Sequence, residues 1–172
     1  MAVLKAKYAT PVDLTITLAS LATSSTRVAG RESTVVDNTS NLYSDALLAG
    51  KIRVGTTPTI NTFIDIWVYA QRDDTPTYPT LVTSGITGTD AAATAATEGI
   101  RNNALKLAAS MLVDATTTDR DYDFSPVSVA SIFGGVLPKR WGCWVTHSTG
   151  VNFNSTGSNH KLTYTGVNVE SV

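Results

Sequence analysis

The residues with the greatest chemical reactivity lie close together near the end of the chain. Cys143 is the single cysteine, and His147 and His160 are the two histidines. A cysteine nucleophile needs an imidazole within hydrogen-bond reach of its sulfur, but on a strand His147 would lie about 13 Å from Cys143. His160 could reach the thiol only from a neighbouring strand, and a lone cysteine between two tryptophans is more often an inert core thiol. The sequence therefore predicts no catalytic residue and a protein that is not an enzyme.

The two histidines could instead bind a transition metal together. A zinc site needs three or four ligands, and the sequence contains no cysteine and histidine spacing of the zinc-binding type. We therefore expect both imidazoles to lie at the surface, at the two ends of the loop between the last two predicted strands. Neither a metal nor any other cofactor is predicted at this place.

Three aspartates alternate with other residues further upstream. In an extended chain Asp119, Asp121 and Asp123 would project to one side about 7 Å apart, and carboxylates in a row suit Ca²⁺. The segment lacks the glycine and the closing glutamate of an EF-hand loop, and Arg120 offsets part of its charge. The pattern favours a solvated loop or an edge strand protected by charge, so that calcium is only a weak candidate.

The elements that carry these residues are predicted to be strands. Threonine makes up about one residue in six, and β-branched side chains favour sheets over helices. Period-two alternation of apolar and polar residues predicts six strands: Val12–Ser20, Ala46–Val54, Asn61–Gln71, Asn103–Val113, and two antiparallel strands in "RWGCWVTH" and "HKLTYTGVNV", joined by a Gly- and Asn-rich loop.

The remaining segments are predicted to be irregular. Residues 1–11 form an N-terminal arm, and Leu21–Asn41 and Asp74–Ile100 form long loops, the second with at most a short helix. One or two helical turns are expected in Ser125–Gly135, with Pro126 at the first helical position. Together these features predict a single all-β domain, a jelly-roll-like antiparallel sandwich.

The predicted strand Asn61–Gln71 has two apolar faces. Its core face carries Ile64, Ile66 and Val68, and its other face carries Phe63, Asp65, Trp67 and Tyr69. A strand of this kind is either central in a sandwich or covered by another subunit. The aromatic face is therefore expected to meet a second layer of the chain or an interface.

Composition limits the classes of partner. The 172 residues are 42% hydrophobic and 16% charged, with a net charge of -1. Nucleic-acid-binding domains usually carry a clustered basic excess, and no apolar run approaches the length of a membrane span, so neither nucleic acid nor a membrane is expected as a partner. The low charge favours self-association, and the lone cysteine and the absence of a signal-peptide pattern favour folding in the cytoplasm.

From about Ala22 to Val167 the sequence resembles a family of small virion structural proteins of tailed bacteriophages and prophages. The resemblance lies in four phrases: "GRESTVVDNTSNLYSDALLAGKI", "IDIWVYAQRDDTPTYP", "YDFSPVSVASIFGGVLPKRWG" and "VTHSTGVNFNSTGSNHKLTYTGV". It implies a capsid decoration (cement) protein, assembled in the host cytoplasm onto the surface of the virion. Its expected partners are the major capsid protein and further copies of itself, most simply in a homotrimer.

Two alternative functions remain open from the sequence. One is a structural component of the phage tail or neck. The other is a receptor-binding or carbohydrate-binding adhesion module, which would use exposed aromatic residues such as Trp67 or Tyr78.

Overall fold

The computed structural model describes residues 3–75 and 77–171. Within these residues the helices are α1 (Glu98–Ala104), α2 (Val129–Ile132) and a 3-10 turn at Gly157–Asn159. The strands are, in chain order, β1 (Leu4–Tyr8), β2 (Val12–Asp13), β3 (Ala29–Glu32), β4 (Val36–Asp37), β5 (Asp45–Arg53), β6 (Thr62–Ala70), β7 (Ala91–Thr94), β8 (Lys106–Val113), β9 (Asp121–Ser128), β10 (Arg140–His147) and β11 (Lys161–Ser171).

The strands form two antiparallel sheets in the order of a jelly roll. In sheet A the order is β1-β11-β5-β9, and β2 shares the position beside β11 with β1. In sheet B the order is β7-β3-β10-β6-β8, and β4 shares the position beside β10 with β3. Apart from the additional strand β7, each sheet thus has four strand positions, connected as in jelly rolls. The predicted fold class, an all-β antiparallel sandwich of this type, is confirmed.

The core lies between the two sheets and is built by the period-two alternation of their strands. Ile64, Ile66 and Val68 of β6 are fully buried there, as predicted, and they belong to one cluster with Leu48 of β5 and Leu162 of β11. Burying a side chain of this size contributes about 1.5–3 kcal/mol. The central strands therefore supply much of the energy that holds the two sheets together.

A second apolar cluster covers the opposite face of sheet B. Trp67 and Tyr69 of β6 and Trp144 of β10 pack there against Leu81 and Leu105, which lie outside the sandwich. The Trp144 indole donates a hydrogen bond to a backbone carbonyl of β7 at 3.1 Å. The aromatic face of β6 therefore meets a second layer formed by the chain itself, which is one of the two outcomes expected from the sequence.

The predicted strand Val12–Ser20 is wrong beyond its first two residues. Only β2 (Val12–Asp13) pairs in a sheet. The chain then crosses from one sheet to the other, because the Leu14 amide bonds to Leu162 of sheet A while the Thr15 carbonyl accepts from Thr34 beside β4. Leu14 and Leu18 are buried in the core during this crossing. The alternation of Leu14 and Leu18 with polar residues therefore belongs to an extended connection between the sheets, and its apolar side chains are part of the core.

The two predicted long loops and the N-terminal arm contain strands. Segment 21–41 includes β3 and β4, and segment 74–100 includes β7 and the start of α1, with residue 76 outside the described residues. In the predicted arm, residues 4–8 form β1, which pairs with β11. These segments lack a periodic apolar pattern because each strand has only two to five residues.

Near the C-terminal end, two local predictions are corrected. Pro126 does not begin a helix but lies in β9, an edge strand of sheet A, where a missing N–H is tolerated. The helical turn α2 begins three residues later at Val129, with Ser128 as its N-cap. The strands β10 and β11 do not pair with each other, because they belong to opposite sheets and the loop between them crosses the end of the sandwich.

Strand β3 approaches β10 so closely that only glycine fits at position 30. A Cβ atom there would lie 2.7 Å from the Trp144 ring and still closer to the Val145 carbonyl. We expect Gly30→Ala to lower the free energy of unfolding by roughly 1–3 kcal/mol, measured by urea denaturation. Gly85→Ala is the matched control, because its Cβ would meet nothing within 4 Å. Equal stabilities of the two variants would contradict this account of the β3–β10 contact.

Candidate functional site

Cys143 is a core residue in the middle of β10. Its register partner is Val68 of β6, and its side chain is fully buried in the cluster between the sheets. Burial raises the pKa of the thiol, so that the uncharged form is favoured. The expectation of a buried core thiol is confirmed.

The expectation that both histidines lie at the surface is wrong. His147 is fully buried at the end of β10, and His160 is half-buried. The Phe153 ring lies between them, stacked on His147 at 3.8 Å and 5.7 Å from His160, both measured between ring centroids. The His147 Nε2 donates to the Leu21 carbonyl at 3.0 Å, and its Nδ1 lies 2.9 Å from the Thr149 hydroxyl. The long loop folds back and inserts Phe153 into the core, which buries the imidazoles beside it.

Burial determines the protonation of this cluster. It lowers the pKa of His147 to about 4 and also lowers the pKa of His160. In the unfolded chain a histidine has a pKa of about 6.5. Between these two values the unfolded chain binds more protons than the folded one, so the fold becomes less stable as the pH falls.

This difference predicts an acid-sensitive step in stability. The free energy of unfolding should fall by about 3 kcal/mol on account of His147 as the pH decreases from about 6.5 to about 4. His147→Gln should reduce that slope in urea denaturation at a series of pH values. His160→Gln is the control and should reduce it less, because that ring is only half-buried. An unchanged slope in His147→Gln would contradict the assignment.

The three aspartates of the calcium candidate are not brought together. Asp119 lies on an exposed turn with φ 57° and accepts a hydrogen bond from Asn154 at 2.7 Å. Asp121 in β9 binds Arg53 through two hydrogen bonds of 2.7 and 2.9 Å, which lower the pKa of its carboxyl to about 2. Asp123 is exposed on the same strand. Among residues 3–75 and 77–171 no group of three or more His, Cys, Asp or Glu side chains could hold a metal ion. The alternative of a charged edge strand is confirmed for Asp121 and Asp123.

The aromatic residues suggested for an adhesion module are largely covered. Trp67 is only 6% exposed, and the Arg101 guanidinium lies over its ring at 4.7 Å from the centroid. Tyr78 is half-buried and packs edge-on against Tyr69 at 5.8 Å. Neither ring is the open platform that stacking on a sugar requires, so this expectation is corrected.

A buried carboxylate fixes the layer that covers sheet B. Glu32 of β3 is fully buried. Its oxygens accept hydrogen bonds from the Thr87 amide and hydroxyl and from the Gly88 amide, all between 2.8 and 3.0 Å. Hydrogen bonds to a charged group contribute about 1.5–3 kcal/mol. Glu32 therefore holds the segment before β7 against sheet B.

An open groove of about 300 Å³ remains on the outer face of sheet B beside this layer. We call it the outer-face groove. It is lined by Arg27, Phe63, Asp65, Trp67, Arg101, Asn102, Leu107 and Ser110.

The charges of the outer-face groove are paired within the chain. Arg27 Nε lies 3.1 Å from Asp65 Oδ2, and Ser110 donates to the other oxygen of Asp65 at 2.6 Å. The Arg27 guanidinium also lies over the Phe63 ring at 5.2 Å from the centroid. Apolar side chains are exposed along the groove and next to it: Phe63 (37%), Leu107 (47%) and Leu112 (48%). Arginine and aromatic side chains are enriched in protein interfaces.

A second apolar surface lies where the two ends of the described chain pair. The pairing of β11 with β5 ends at Val167, so residues 168–171 pair only with β1. We call β1 together with residues 167–171 the terminal ribbon. Register places Leu4, Ala6, Tyr8 and Val169 on one face and Lys5, Lys7 and Glu170 on the other. Leu4, Tyr8 and Val169 are 71%, 62% and 59% exposed, so the apolar face lacks a packing partner among the described residues.

Sequence reasoning missed the residues that organise these surfaces. Glu32, Arg27 and Arg101 lie in segments predicted to be loops or unpatterned, and their spacing carries no recognisable motif. The alternation of Leu4, Ala6 and Tyr8 with two lysines was the available signal for β1. It spans only five residues, which is short for a periodic pattern.

Comparison with known proteins adds no relative. No family model, no curated protein and no solved structure matches the chain. Within the described residues, none of the helices has the length and apolarity needed to cross a membrane.

Proposed function

We propose that the protein is a non-enzymatic virion structural protein, a capsid decoration (cement) protein that binds and stabilises the lattice of the major capsid protein. The observation that carries the proposal is the terminal ribbon, whose apolar face is exposed at Leu4, Tyr8 and Val169. Apolar patches on otherwise well-packed proteins mark sites of protein contact. The proposed partner, the lattice of the major capsid protein, follows from the resemblance of the sequence to small tailed-phage virion proteins.

The structural roles of the chemically reactive residues support a binding function for the protein. Cys143 and His147 are packed in the core, Asp121 is paired with Arg53, and Glu32 holds the layer over sheet B. Each is committed to the stability of the sandwich. A rigid body that presents contact surfaces is what a decoration protein needs, since many weak contacts add up across a repetitive lattice.

Self-association into a homotrimer is part of the proposal. The chain itself covers most of the aromatic face of β6. Phe63 is therefore the aromatic residue of that face that remains exposed for a contact between copies. The outer-face groove, with Leu107 and Leu112 exposed on edge strand β8, provides the apolar surface for a contact between copies. A contact between unlike surfaces closes into a ring when the rotation between copies allows it, and a ring of three fits the threefold positions of an icosahedral shell.

The alternatives differ in copy number and in ligand. A tail or neck component uses the same kind of contact surface at far fewer places on the particle. An adhesion module is less favoured, because Trp67 and Tyr78 are largely covered. Jelly rolls serve both capsid and lectin proteins, so the fold alone does not separate these functions.

Copy number and binding to particles test the proposal. Quantitative gels of virions should show on the order of hundreds of copies, as expected for a repetitive lattice, whereas about six or twelve would indicate a symmetric tail or neck ring. Added to particles prepared without it, the protein should bind at the capsid surface. Leu4→Glu combined with Val169→Glu should abolish this binding. Val136→Glu is the matched control, because Val136 is 72% exposed and belongs to neither the terminal ribbon nor the outer-face groove. Binding by the ribbon variant would contradict the assigned surface.

Light scattering at micromolar concentration tests the homotrimer. The expected mass is three times the 18.2 kDa of one chain. Leu107→Glu combined with Leu112→Glu should return the protein to monomers, because two charges would then occupy the apolar part of the groove. A mass near 18.2 kDa for the unaltered protein would contradict a homotrimer in solution.

A further inference from the structure

We propose that the free edge of β1 binds an extended segment of the partner protein that alternates acidic and apolar side chains, so that the segment joins sheet A as an added strand. This inference concerns the same terminal ribbon as the proposed function. It rests on the proposed function for the identity of the partner, the major capsid protein, and on the ribbon alone for the chemistry of the segment.

The backbone of β1 presents unpaired hydrogen-bonding groups to one side. β1 is the last strand of sheet A in the described residues, and it pairs only with β11. The Ala9 amide donates to the Gly166 carbonyl at 2.8 Å, one residue beyond the register pair of Tyr8 and Val167. In an antiparallel ladder such bonded pairs alternate, so Lys5 and Lys7 bond to β11. Leu4, Ala6 and Tyr8 therefore direct their N–H and C=O groups outward, where an added strand can pair with them.

The side chains of β1 specify the charge of that strand. Lys5 and Lys7 lie on one face of the ribbon, where Glu170 is the one carboxylate among the described residues and binds Lys7 Nζ at 3.0 Å. Lys5 makes no ion pair with any residue in 3–75 or 77–171. An added strand places its side chains directly opposite these lysines, and opposite charges at such positions stabilise the pair. Acidic residues two positions apart fit Lys5 and Lys7, and apolar residues between them continue the face of Leu4, Ala6 and Tyr8.

The same charges disfavour a second copy as the occupant. If two β1 strands paired antiparallel about Ala6, Lys5 of each copy would lie opposite Lys7 of the other. Shifting the register by two residues in either direction sets Lys5 against Lys5 or Lys7 against Lys7. Like charges directly opposite each other destabilise a strand pair, and lysines on edge strands commonly prevent pairing between copies. The edge therefore selects an acidic strand from another protein.

Amide hydrogen exchange with a defined peptide tests the edge directly. The probe is a synthetic peptide that alternates glutamate and valine, added to the full chain and followed by NMR. The amides of Leu4, Ala6 and Tyr8 should become protected, while those of Lys5 and Lys7 should change little because they already bond to β11. A peptide that alternates lysine and valine is the control and should protect none of them. Equal protection by both peptides, or none by the glutamate peptide, would overturn the proposal.

Two variants separate the backbone contact from the charge contact. Ala6→Pro removes an outward N–H without removing a bond to β11, and it should abolish protection and binding while spectra outside β1 stay unchanged. Lys5→Glu combined with Lys7→Glu should weaken binding of the glutamate peptide roughly tenfold or more, since two attractive pairs become repulsive. Arg72→Glu combined with Lys139→Glu makes the same change in net charge elsewhere and should have no effect. If the two lysines only guard the edge against other copies, their reversal will leave peptide binding intact and the proposal falls.

Particle binding distinguishes this inference from the proposed function. Ala6→Pro should fail to bind particles prepared without the protein. If it binds them as the unaltered protein does, the function stands and the edge inference falls. If the unaltered protein does not bind particles but the glutamate peptide still protects Leu4, Ala6 and Tyr8, the function falls and the chemistry of the edge stands.

Discussion

The pairing of β6 with β10 sets Trp67 opposite Trp144 on the face of sheet B that points away from the core. The same two strands fill the core with Ile64, Ile66, Val68 and Cys143 on their other face. A sheet with large apolar side chains on both faces must be covered on both. Sheet A covers one face, and the chain between β6 and β8 leaves the sandwich to cover the other. The additional strand β7, the helix α1 and the second cluster all follow from this requirement.

The cover is held by polar contacts, because its short elements have little apolar surface of their own. Glu32 binds the segment at Thr87 and Gly88, and Arg101 donates to the Arg27 carbonyl at 2.7 Å while lying over Trp67. A charge removed from water is costly unless its hydrogen bonds are replaced. Glu32 and Arg101 have such replacements, and they tie the cover to β3 and to the residues just before it. The outer-face groove begins where this cover ends, which is why Phe63 is exposed while Trp67 is not.

The sequence predicts the parts of this structure in which one pattern persists over many residues. Strands β5, β6, β8, β10 and β11 each have eight or more residues, and their alternation identified both the strands and the core face of β6. Alternation alone could not show that Leu14 and Leu18 lie on a connection between sheets, because an extended chain alternates whether or not it pairs. The burial of His147 was also beyond local reasoning, since it depends on Phe153 returning from the next loop. The hydrogen bond between Thr87 and Glu32 joins residues 55 positions apart in the sequence, and no local sequence pattern predicts a contact over that separation.

The position of β11 has a consequence for how the protein is made. β11 comes after the other described strands in chain order, yet it lies inside sheet A, between β5 and the first two strands. Leu4 pairs with Ser171, so this ladder joins the two ends of the described residues. Sheet A therefore cannot be completed during synthesis until β11 has left the ribosome, and until then β5 can pair with β9 along only one of its two edges. Contacts so distant along the chain fold slowly, and the waiting strands are exposed to misassembly for that period.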